Sequence, residues 1–149
     1  MALYFLDASA LTKLYVREPG TDAMLGLAGE GDVRLALLSV TAVELRSAVR
    51  RRERLGDIPS DVADSILAEF ASHLESRFMR QPITEGILEL ALTFVDRHAL
   101  RAYDALQLAG CSVVKSTIGD LVFLCADQAL CRAAVSEEVS VINPEVVRS

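Results

Sequence analysis

At 149 residues the chain has the length of one domain, residues 1–149, and can bury a core without disulfide staples. Apolar residues make up 52% and charged residues 24%, a globular rather than a disordered composition. The net charge of −6 argues against a histone-like or tail-driven nucleic-acid binder; it leaves room for a local basic patch and a surplus of carboxylates to be placed.

The first apolar run, Leu3–Leu6, reads as a strand, and Leu11, Leu14 and Tyr15 place a helix directly after it. Leu35–Leu38 reads as a second strand, followed by a helix on Leu45, Ala48 and Val49. Gly56 and Pro59 separate that helix from the next, in which Val62, Ile66, Phe70 and Leu74 recur every four residues. Phe78–Gln81 is a weak third strand. Pro82-Ile83-Thr84 opens a helix on Ile87, Leu90, Ala91 and Phe94, and another carries Ala105, Leu108, Ala109 and Ser112. Leu121–Cys125 and Val139–Ile142 complete five strands, and Pro144 closes the last. The strands are continuous apolar runs, the habit of strands buried on both faces of a parallel sheet. The order β-α-α-β-α-α-β-α-α-β-α-β predicts an α/β domain with a mostly parallel central sheet, whose active site would lie beyond the carboxyl ends of the strands.

Cys111, Cys125 and Cys131 are odd in number and contain no C-x-x-C pair, which favours buried reduced thiols over a disulfide scaffold or structural zinc site. Met1 leads into an apolar run without a basic n-region, and the apolar stretches fall short of the ~20 residues of a membrane span. A soluble, cytoplasmic protein without a membrane partner is expected. His73 and His98 have no metal-ligand spacing and nothing ties them together as an acid–base pair. The serine-hydrolase, P-loop and dinucleotide fingerprints are absent from the sequence. A haloacid-dehalogenase-like phosphatase would want a second Asp where Ser9 stands.

Four acids stand out by position. Asp7 follows the first strand, Glu44 follows the second, Asp127 follows the fourth, and Asp104 sits near the start of a helix among small and apolar residues. Each has a bland reading: Asp7 or Ser9 caps a helix, Thr41-x-x-Glu44 is a capping box, and Asp104 and Asp127 are caps. Together they form a pattern, because a parallel sheet brings such positions to one edge. Clustered carboxylates raise one another's pKa, and bound divalent cations relieve that repulsion. Oxygen-only ligands suit Mg²⁺ and Mn²⁺ rather than zinc, and such ions can activate water for displacement at phosphorus. Arg46, Arg50, Arg51, Arg52 and Arg54 cluster on the helix that carries Glu44, with Arg46, Arg50 and Arg54 on one face. They read either as a solvated face or as a phosphate-contacting ridge, for which Lys13 is a second candidate.

Tyr4-Phe5-Leu6-Asp7-Ala8-Ser9-Ala10-Leu11, Ser39-Val40-Thr41-Ala42-Val43-Glu44-Leu45, Leu100-Arg101-Ala102-Tyr103-Asp104-Ala105-Leu106-Gln107-Leu108-Ala109, Phe123-Leu124-Cys125-Ala126-Asp127-Gln128-Ala129-Leu130 and Val141-Ile142-Asn143-Pro144 resemble, in order, the successive motifs of PIN-domain proteins. The resemblance is closest to the VapC toxins of toxin–antitoxin pairs and covers almost the whole chain. It implies a three-layer α/β/α sandwich in which Asp7, Glu44, Asp104 and Asp127 bind Mg²⁺ or Mn²⁺, with Asp7 and Asp104 as the first direct ligands. It implies cleavage of single-stranded RNA, often in tRNA or rRNA loops, by metal-activated water. It also implies a homodimer held inactive by a small VapB-like antitoxin. The alternative is a catalytically weak PIN-like module that binds RNA or a partner protein; a metal-dependent phosphatase or DNA-directed nuclease is a third reading. Two positions depart from the family habit: Cys125 stands where Thr or Ser is usual, and Gln107 where His is frequent.

Overall fold

The computed structural model describes residues 2–146. Five strands, β1 (Ala2–Leu6), β2 (Val33–Leu38), β3 (Phe78–Gln81), β4 (Val122–Leu124) and β5 (Ser140–Ile142), form one sheet in the order β3-β2-β1-β4-β5. Every pairing is parallel, so the expected mostly parallel sheet is wholly parallel. Seven helices connect them among the described residues: α1 (Ala8–Lys13), α2 (Thr21–Ala28), α3 (Val40–Arg54), α4 (Ser60–Ser76), α5 (Glu85–His98), α6 (Ala102–Ile118) and α7 (Gln128–Ser136).

Alternate strand residues feed two cores. Leu3 and Phe5 of β1, with Ala36 and Leu38 of β2 and Phe123 of β4, pack against Ile87, Ala91 and Phe94 of α5, Leu108 of α6 and Leu130 of α7. Tyr4 and Leu6, with Leu35, Leu37 and Leu124, pack against Leu11 of α1, Met24 of α2, Leu45 and Val49 of α3, and Leu67 and Phe70 of α4. The period-2 alternation of side chains thus makes three layers, helices on both faces of the sheet. This is the α/β/α sandwich that the motif resemblance implies. Gly110 of α6 has no room for a side chain, since a Cβ there would lie 2.8 Å from the Leu38 side chain. It lets α6 lie close on the sheet. Among the described residues no helix is long and apolar enough to cross a membrane.

Local punctuation follows the sequence at most boundaries. Thr84 caps α5 by accepting from the Ile87 amide at 3.2 Å, and Gly56, at φ +82°, turns the chain between α3 and α4. Two local readings differ. The helix after β1 stops at Lys13, so Leu14 and Tyr15 lie in the turn beyond it; their apolar side chains pack there without further helix. The capping box at Thr41 and Glu44 does not form, because α3 already begins at Val40 and Thr41 lies inside it. The order of strand addition reverses at β1: β2 and β3 lie to one side of β1, and β4 and β5 to the other. That is the topological switch point, where parallel sheets open a crevice at their carboxyl edge.

Candidate active site

Asp7 and Asp127 flank that switch point. Asp7 follows β1 directly and is buried, 4% exposed. Its Oδ1 accepts from the Ala10 amide at 2.9 Å and from the Ser9 hydroxyl at 2.7 Å. It therefore caps α1, and the cap reading and the cluster reading hold for the same side chain. Both bonds fall on Oδ1, which leaves Oδ2 for a ligand. Ser9 Oγ in turn accepts from the Ala126 amide at 2.9 Å, tying the end of β1 to the turn after β4. Asn143 Nδ2 donates to the Ala126 carbonyl at 3.3 Å from the other side, which gives the last sequence motif its place.

The Asp7 carboxyl is pushed up to about 7: burial raises it most, the Ser9 and Ala10 bonds lower it, and the charges of Asp104 and Glu44 add to the rise. Glu44, one turn into α3, is also raised, first by burial and then by Asp104, against a lowering bond from Gln107. Asp104 lies in the first turn of α6 and does not cap it; the cap position is Arg101. Its carboxyl is raised by burial and by the charge of Asp127, while Arg101 lowers it. Asp127 is exposed and caps α7, its Oδ1 accepting from the Leu130 amide at 2.8 Å. The four acids from four separate elements thus share one electrostatic field at the carboxyl edge. Among the described residues no three His, Cys, Asp or Glu side chains converge into a ready-made metal centre. The donor set is nevertheless one of carboxylate oxygens whose mutual repulsion a hard divalent cation would relieve, and Mg²⁺ or Mn²⁺ fits that chemistry.

Gln107, one turn after Asp104, is the residue whose role the sequence leaves open. It is 1% exposed, and its Nε2 donates to Thr41 Oγ1 at 2.7 Å and to Glu44 Oε1 at 2.8 Å. One buried amide therefore holds the α3 acid against the helix that carries Asp104. The nearest sequence signal is a buried-type polar residue three positions after an acid in an apolar helix.

A cleft of about 760 Å³ opens from Ser9 and Glu44 along α3, past Ala48, Arg51 and Arg52, to Leu55 and Asp57, with Tyr103 at its wall. Of the four acids only Glu44 lines it. The face that Arg46, Arg50 and Arg54 share is the solvated one, the first of the two readings. Arg50 is taken up by Glu53 and Asp64, both at 2.9 Å, and Arg46 and Arg54 share its face away from the cleft. The cleft-facing arginines are Arg51 and Arg52, because they continue the helical face of Glu44 and Ala48. Lys13, the second candidate, is already paired. It is 3% exposed and its ammonium is held by Glu18 at 3.0 Å and Glu145 at 3.1 Å. Glu18 also takes Arg52 at 2.8 Å, so a buried ion network sets one wall of the cleft.

The PIN domain family model matches residues 4–135. The chain belongs to the PIN domain family. Solved structures share its fold at low identity. A toxin–antitoxin complex from Klebsiella pneumoniae is 15% identical with a TM-score of 0.66, over 97% of this chain and 98% of that one. VapBC2 from Rickettsia felis, bound to a DNA fragment from its promoter, is 15% identical with a TM-score of 0.63, over 95% and 98%. PAE2754 from Pyrobaculum aerophilum is 23% identical with a TM-score of 0.62, over 94% and 83%. No curated protein matches the sequence. In this PIN domain the family's ordered motifs are the segments that meet at the carboxyl edge of the sheet.

Proposed function

We propose that this PIN domain protein is a Mg²⁺- or Mn²⁺-dependent endoribonuclease and the toxin of a cytoplasmic toxin–antitoxin pair, with residues 1–149 acting as one nuclease domain. The observation that carries the reading is the group of carboxyls on Asp7, Glu44 and Asp104, each raised first by burial and then by a neighbouring acid: Asp7 by Asp104 and Glu44, Glu44 by Asp104, and Asp104 by Asp127. Such an arrangement is costly for the fold alone and useful for holding a divalent cation.

When bound, the cation supplies Lewis-acid polarisation of the scissile phosphate and activation of a water. The protein's own residues do the rest. Asp7 and Asp104 hold the ion, and Glu44 and Asp127 complete the pocket directly or through water. Ser9 fixes the Asp7 carboxylate and Gln107 fixes that of Glu44. Arg51 and Arg52 meet the RNA backbone along the cleft. Loops of tRNA or rRNA are the targets that the family resemblance implies. The solved relatives described as toxin–antitoxin complexes support a small VapB-like antitoxin as partner, its segment covering the cleft. A homodimer is the expected assembly.

Purified protein freed of any partner, incubated with total cellular RNA, is expected to give discrete fragments with Mn²⁺ or Mg²⁺ and none with EDTA. Asp104→Asn is expected to give none while keeping the wild-type circular dichroism spectrum. A folded protein that cuts under no metal would transfer the reading to the binding module. Cleavage that persists in EDTA and in Asp104→Asn would remove the four-acid mechanism.

A further inference from the structure

The turn between β4 and α7 holds a pair of thiols that the carboxylate mechanism does not use. Cys125 follows β4 and is fully buried; Cys131 lies in α7 and is half-buried. Their sulfurs stand 2.9 Å apart. Each also points at the backbone of the same turn: Cys131 Sγ donates to the Cys125 carbonyl at 3.2 Å, and Cys125 Sγ to the Asp127 carbonyl at 3.5 Å. Backbone bonds anchor each end of the turn independently of the sulfurs, one in α7 and the other on the chain at β5. The Cys131 amide donates to the Asp127 carbonyl at 2.9 Å, and the Cys125 amide to the Ile142 carbonyl at 3.3 Å. Cys111, the third cysteine, is buried in α6 within the core beneath α5 and has neither feature.

We propose that Cys125 and Cys131 form a peroxide-oxidisable dithiol, a modification site that closes into a disulfide around the Asp127 turn. Cys131, the more exposed thiol, meets the oxidant first. Its thiolate attacks one peroxide oxygen; the S–O bond forms, the O–O bond breaks, and the leaving hydroxide takes a proton to become water. The product is a sulfenic acid on Cys131. The Cys125 thiolate attacks that sulfur, the S–S bond forms, the S–O bond breaks, and a second water leaves. In sum two thiols give two electrons and two protons to one hydrogen peroxide, which becomes two waters. The sulfurs already face each other, so the turn needs only a small contraction to close.

Closure reaches the acidic site through bonds already described. It removes both thiol hydrogens, and with them the Cys125 bond to the Asp127 carbonyl. Between the two cysteines lies Ala126, whose amide is bound by Ser9, the residue that orients Asp7. Where the nuclease reading holds, the oxidised form therefore cleaves RNA more slowly than the reduced form.

The chemical step is tested without any substrate, so its failure is separable from a failure of the nuclease reading. The full chain is treated with hydrogen peroxide, unreacted thiols are alkylated under denaturing conditions, and peptides are mapped by mass spectrometry. The expected result is loss of alkylation at Cys125 and Cys131 together, a cross-linked peptide pair lighter by two hydrogens, unchanged alkylation at Cys111, and full recovery with dithiothreitol. Cys131→Ser is expected to yield no cross-link, and its RNA cleavage to be indifferent to peroxide. Equal oxidation of all three cysteines, a disulfide between two chains, or full alkylation of Cys125 and Cys131 under conditions that oxidise glutathione would each overturn the proposal. A protein that forms the cross-link but cuts RNA at the reduced rate would overturn its link to the active site.

Discussion

Asp7 performs two tasks with one side chain. Its Oδ1 satisfies the Ala10 amide, an orphan donor at the start of α1, while burial and neighbouring acids raise its pKa, the feature on which the proposed cation site rests. Cap and site readings of an acid at a strand end compete only on paper, since the cap occupies one oxygen and leaves the other. Asp127 repeats the arrangement at α7. Glu44 differs: with no cap to make, it depends on Gln107 for its place. Gln107→Leu removes the buried donor to both Thr41 and Glu44, and is expected to destabilise the protein by roughly 1–3 kcal/mol. The same variant is expected to need more Mn²⁺ for half-maximal cleavage. Urea unfolding and a Mn²⁺ titration measure the two effects; wild-type values in both would show that the amide holds nothing.

Helix α3 sorts its residues onto three faces. Leu45 and Val49 enter the core, Arg50 is braced against α4 through Asp64, and Glu44, Ala48 and Arg51 look into the cleft. The arginine run therefore does two different things although its members are contiguous. Arg51→Ala is expected to weaken binding of single-stranded RNA and to lower the dependence of log affinity on log salt by about 1, the loss of one phosphate contact. Arg54→Ala, on the outward face, is expected to leave that slope unchanged. Fluorescence anisotropy across a salt series in the Asp104→Asn background, with EDTA present, separates the two; equal slopes would mean that the cleft is not the RNA path.

Across the whole molecule the carboxyl edge stores electrostatic strain that couples stability to pH and to metal. The folded-state pKa of Asp7 lies at about 7, above its unfolded value, so the native state holds the proton more tightly. Its contribution to stability is complete at acid pH below the unfolded value and is lost as pH rises to about 7. Glu44 and Asp104 are shifted in the same direction. Metal-free protein is thus expected to lose stability between about pH 4 and pH 7, by up to about 4 kcal/mol from Asp7. A divalent cation binds the deprotonated form and reverses the trend. The rise in melting temperature on adding Mn²⁺ is therefore expected to be larger at pH 8 than at pH 5. Equal rises at the two pH values, or none at either, would contradict a cation bound at Asp7.

Much of this was legible in the sequence. The twelve elements, their order and the parallel sheet follow from apolar runs and helical spacings, because burial is written locally as a period of 2 or 3.6. The acids at strand ends could be read for the same reason: a charge that closes an apolar run has to sit at the sheet's edge. What the tertiary structure alone decided are relations between distant segments. Gln107 meets Glu44 across 63 residues, Lys13 meets Glu145 across 132, and the Ala126 amide meets Ser9 across 117. The face of α3 that borders the cleft depends on where α1 and α6 lie, so spacing grouped Arg46, Arg50 and Arg54 on one face without showing that Arg51 and Arg52 face the cleft. Periodicity states which side of an element is buried; what it is buried against is fixed by the strand order, and that no local pattern encodes.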